Sequence, residues 1–73
     1  MKKFILNIDT VYLLMASRGL TVSGLAEKYG CSRSRMHMIL NQRTVTPIVL
    51  GKLAEALGVK PANIVKNEVR ELI

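Results

Sequence analysis

Two helix punctuation marks nearly touch in the stretch LAEKYGCSRSRMHMIL, residues 25–40. Gly30 ends one helical pattern, and Ser32, a residue type that caps helix N-termini, begins the next. Only Cys31 stands between them. A turn this short makes two helices cross closely, so the crossing needs a small side chain and the turn needs a residue without Cβ strain. Ala26 and Gly30 meet those needs. Leu25, Tyr29, Cys31, Met36 and Ile39 are then the inward positions. The pattern predicts a helix-turn-helix over residues 22–41.

The flanks read as further short helices. Residues 9–18, DTVYLLMASR, are expected to start at Asp9 or Thr10 as N-cap and to stop at Gly19, with Val11, Leu14, Met15 and the stem of Arg18 on one face. Thr21 caps the next helix, VSGLAEKY, in which Gly24 costs roughly 1 kcal/mol against alanine. Thr46 caps a fourth helix, and Pro47 takes its first position, where a missing N–H costs nothing. Leu50, Leu53, Ala54 and Leu57 share its apolar face, and Gly58 ends it. Pro61 opens a short fifth turn, PANIV. The tail, VKNEVRELI, sets Val65, Val69, Leu72 and Ile73 on one side if helical. The leader FILNI alternates weakly, as a short strand does. The expected fold is all-α: a compact bundle of about five short helices around a central helix-turn-helix formed by the second and third. It is expected to be a single domain over residues 1–73 with its core in 9–65.

Charge narrows the partners. Lysine and arginine number 11 against 5 acids, a net charge of +6. That excess favours nucleic acid, an anionic membrane or an acidic protein. It is also unevenly spread. No acid lies between Glu27 and Glu55, a window that holds Lys28, Arg33, Arg35, Arg43 and Lys52. One face of the middle third is therefore expected to be positive.

Other classes are expected to be absent. One cysteine forms no internal disulfide, which fits a reducing, cytoplasmic setting, with Cys31 as a small packing residue. The start MKKFILNI resembles a signal peptide, but Asn7 and Asp9 cut the apolar run short. No run approaches the ~20 apolar residues of a membrane helix. One His and one Cys build no metal site. No nucleophile–base pair and no glycine-rich phosphate loop points to an enzyme, and no cofactor is expected.

With these residues in view, the chain resembles the Cro and lambda-repressor-like helix-turn-helix transcriptional regulators over residues 11–65. The resemblance rests on GLT at 19–21, LAEKYG at 25–30, SRS at 32–34 and LAEALGV at 53–59. It implies that the third helix lies in the major groove of double-stranded DNA. Met36, Ile39 and Leu40 would hold that helix on the domain. Arg33, Ser34, His37 and Met38 would meet base edges. Thr21, Val22, Ser32, Arg35, Asn41, Arg43 and Thr44 would contact phosphates, which sets register without reading sequence.

The chain departs from the family in three places. A polar side chain often stands at Val22, glycine at Gln42, and a partly buried Arg–Glu pair at Met15 and Leu40. Two packed apolar residues can replace such a pair without loss of stability. The expected activity is sequence-specific transcriptional regulation, as a small Cro-like repressor from a phage or mobile element acting as a homodimer. The leader 1–8 and tail 66–73 are candidate dimerisation segments. The alternative is an antirepressor or modulator that binds a companion repressor through the same fold. Exposed Met38, Val22 and the apolar tail motivate it.

Overall fold

The computed structural model describes residues 3–42 and 44–67. Its element order is β1 (Phe4–Leu6), α1 (Ile8–Ser17), α2 (Val22–Tyr29), α3 (Arg33–Asn41), β2 (Thr44–Val45), α4 (Pro47–Leu57), a 3-10 turn (Pro61–Ile64) and β3 (Val65–Asn67). The expectation of an all-α, five-helix bundle is corrected. Among the described residues, four α-helices and one 3-10 turn stand beside a three-stranded antiparallel sheet in the order β2-β1-β3. The leader supplies the central strand. Phe4 pairs with Val45, and Leu6 with Val65. Each strand is too short to stand alone, so the sheet exists only because helix packing brings three distant segments together.

Local chemistry sets most helix ends. Thr21 Oγ1 accepts from Gly24 N at 3.0 Å, Ser32 Oγ from Arg35 N at 3.1 Å, and Thr46 Oγ1 from Val49 N at 3.4 Å. Each satisfies a backbone donor that the first helical turn leaves open. α1 differs from expectation. Its N-cap is Asn7, whose Oδ1 accepts from Thr10 N at 3.3 Å. Asp9 instead lies in the first turn, where its charge complements the helix dipole. The backbone of Asn7 is occupied as well, since its N–H donates to Ile64 O at 2.8 Å. That bond ties the start of α1 to the 3-10 turn.

The core gathers one stripe from every helix. Val11, Leu25, Met36, Leu53 and Ile64 are fully buried, and Leu6 and Val45 close the sheet side. Met15 and Leu40, where the resemblance implies a partly buried ion pair, are both buried apolar residues of the core. Arg18 departs from expectation. It is the exposed C-cap residue of α1, and its guanidinium donates to Ser17 Oγ at 3.3 Å. In the tail, Val65 begins a strand, while Val69, Leu72 and Ile73 lie outside the described residues.

Gly24 is a site of avoidable cost. A Cβ there would stand 3.4 Å from Leu20 Cδ2 and 3.5 Å from Thr21 Oγ1, both ordinary contacts. Gly24→Ala is therefore expected to raise stability by roughly 0.5–1 kcal/mol, through lower unfolded-state entropy and better helix propensity. Urea unfolding checks it: the midpoint should rise with no change in slope.

Candidate nucleic-acid interface

The turn between α2 and α3 is built around one carbonyl. Ala26 O accepts from Gly30 N at 2.8 Å and from Cys31 N at 2.9 Å. Gly30 takes φ +95°, a left-handed conformation that side-chain-bearing residues rarely adopt. Ala26 is 2% exposed, which lets α2 and α3 approach closely. Leu25, Met36 and Ile39 are buried beside it, while Tyr29 and Cys31 are half-buried against the core.

α3 is divided sharply along its axis. Met36, Ile39 and Leu40 are buried, and every other residue from Arg33 to Asn41 is exposed. At about 100° per residue, the direction opposite the buried stripe is held by Ser34, Met38 and Asn41. Arg33 lies on one flank with His37 next to it, and Arg35 on the other flank. The outer surface is thus neutral at its centre and cationic on both rims. Met38 is 55% exposed, an uncommon degree for a residue of its size and type.

The capping hydroxyls retain a function. Thr21 and Ser32 each use an oxygen lone pair to accept a backbone N–H. Each O–H proton remains available to an outside acceptor such as a phosphate oxygen. Val22 is half-buried and packs against the core, so what it offers outward is the backbone at the start of α2. Thr44 sits apart from the helix caps. It pairs with Ile5 in the sheet and lines a groove with Asn41 and Gln42, beyond the far end of α3. Arg43 lies outside the described residues.

A cation–π contact arises that was not among the expected contacts. Lys52 of α4 places its Nζ 4.7 Å from the centre of the Tyr29 ring, within cation–π range. Burial pushes the Tyr29 phenol above its ordinary pKa, Cys31 adds to the rise, and Arg35 pulls against it. The phenol therefore stays neutral near pH 7. Tyr29 thus carries Lys52 over its ring. The sequence marks Lys52 only as a member of the acid-free window. Its place over Tyr29 depends on how α4 packs against α2, which no local pattern carries.

Among the described residues, no group of three or more His, Cys, Asp and Glu is placed to hold a metal ion. No described helix is long and apolar enough to cross a membrane. The family model of the Cro/C1-type HTH DNA-binding domain matches residues 13–68. No curated protein matches, and no solved structure matches.

Proposed function

The chain belongs to the Cro/C1-type HTH DNA-binding domain family, and from that membership we propose a sequence-specific regulator that inserts α3 into the major groove. It represses transcription by occupying an operator as a homodimer. The carrying observation is the split of α3 into a buried stripe and an exposed one, whose outward side chains include no acid. That surface suits a polyanion with readable edges.

Roles follow from direction. Ser34 and Met38 face the bases directly, and Met38 offers apolar contact to a thymine methyl. Asn41 shares their face, so it joins them as a base reader where its amide reaches adenine. Arg33 is long enough to turn inward from its flank and to bind guanine O6 and N7 together. His37, between Arg33 and the centre, reaches a base or a phosphate. Arg35, Thr21, Ser32, the N–H groups at Val22, and Thr44 and Arg43 beyond α3 hold the backbone.

Binding of a panel of single-base operator variants tests this division. Arg33→Ala is expected to flatten preference at one base pair, with about 1–3 kcal/mol lost on the best site. Arg35→Ala, lost from both copies, is expected to weaken all duplexes alike and to reduce the salt slope by about 2. Equal loss on every duplex for Arg33→Ala removes its base-reading role.

Met38 and Ile48, 55% and 75% exposed, favour a second reading. In it the same surface binds a companion repressor. Partner binding would then survive Arg33→Ala and Arg35→Ala, which DNA binding would not.

A further inference from the structure

Lys52 of α4 is exposed, yet its ammonium has a fixed seat, 4.7 Å from the centre of the Tyr29 ring. At about 100° per residue, Lys52 points away from the buried stripe of Leu50, Leu53, Ala54 and Leu57. Ile48, one turn earlier on the same face, is 75% exposed, so that face of α4 is open. Glu55, the nearest acid along α4, lines a cleft with Arg18 and Lys28. A neutral ring thus holds the Lys52 ammonium, and a neutral ring fixes a cation without cancelling its charge. The ammonium stays free to meet an anion.

Its place in the fold faces phosphate. An α-helix about 10–12 Å across fills a major groove about 12 Å wide, so the two phosphate strands run along the two rims of α3. Arg33 holds one rim and Arg35 the other. Of these two, Arg35 is the one whose charge bears on the Tyr29 phenol. Tyr29 ends α2, three residues before α3 begins, and α4 packs across α2. Tyr29 and Lys52 therefore extend the Arg35 rim, on the side of one phosphate strand.

We propose that Lys52 contacts a phosphate of the strand that Arg35 grips, with the Tyr29 ring as its positioning residue. This rests on the DNA-binding reading and carries its footprint from α3 to α4. A lysine loses much rotamer freedom when it settles on one phosphate. Held over the ring, Lys52 has given up part of that freedom before DNA arrives, and such preorganisation favours binding. The contact reads no bases. It fixes the register of α3 in the groove from a second helix.

Binding to a mixed-sequence DNA duplex, titrated over a range of salt, tests it. Lys52→Gln should reduce the slope of log K against log salt by about 1 per bound copy. Lys52→Arg, which keeps both the charge and the stacking, should restore the slope. Lys28→Gln removes an equal charge on the side of the Arg18–Glu55 cleft, and the slope should stay near its unsubstituted value. A full slope in Lys52→Gln overturns the proposal. So does an equal fall in Lys28→Gln, which would mean that net charge alone counts. Tyr29→Leu should lower affinity about threefold in the unsubstituted chain and not at all in Lys52→Gln. An equal loss in both overturns the positioning role. Because Lys52 is exposed, its substitutions should leave thermal unfolding unchanged. Failure of the DNA reading looks different: the unsubstituted chain would itself bind the duplex without a salt slope or not at all, and the proposal would fall with it.

Discussion

Raising salt from about 50 to about 200 mM is expected to weaken operator binding roughly a thousandfold. The size follows from the cations available. Arg35 flanks the outward face of α3, Arg43 follows that helix in the acid-free window, and Lys52, over the Tyr29 ring, is exposed in the same window. About three cations per copy, and two copies per operator, neutralise about six phosphates. The slope of log K against log salt is then about −5. A titration at four or five salt concentrations measures it. A slope near zero would mean that the positive window does not meet phosphate, and weight would pass to the protein-binding reading. Neutral substitutions separate the contributors. Arg35→Ala removes one contact from each copy and should reduce the slope by about 2, whereas Met38→Ala should leave it unchanged.

Met36→Ala is expected to cost about 2–5 kcal/mol of folding stability. Met36 is fully buried on the inner side of α3. Its truncation leaves a cavity between the two helices that the tight turn holds together. A domain of this length has roughly 4–11 kcal/mol in all, so the loss is a large fraction of the total. The melting temperature should fall by about 8–40 °C. Saturating operator should restore part of that, because DNA binds only the folded state. Met38, two residues on and 55% exposed, is the control. Met38→Ala should change stability by less than about 0.5 kcal/mol while altering preference among operators. Equal destabilisation by the two changes would mean that α3 does not present Met38 outward.

The helix-turn-helix was legible because its requirements are local. A cap hydroxyl, a small crossing residue and a left-handed glycine sit within a few residues of one another. Thr21, Ala26, Gly30, Ser32 and Thr46 therefore stood out, as did the apolar face from Leu50 to Leu57. The start of α1 was misplaced because Asn7, Asp9 and Thr10 are all competent caps. Only the tie from Asn7 N to Ile64 O, across most of the chain, favours the first. The sheet was nearly invisible. The alternation in FILNI hinted at β1, but TV and VKN are too short for a period to show. Their pairing joins Phe4 to Val45 and Leu6 to Val65. Of the interface, the outward set on α3 was legible from helix periodicity. The Lys52–Tyr29 contact was not, since it joins elements far apart in sequence.

Sequence reading through α3 makes one demand above the others. Selection of duplexes from a random pool by the purified protein, at near-physiological salt, tests it most directly. An enriched inverted repeat with half-sites about one helical turn apart is expected. The same selection with Arg33→Ala should lose preference at one position in each half-site. A pool that emerges with no enriched sequence would mean that α3 does not read DNA sequence.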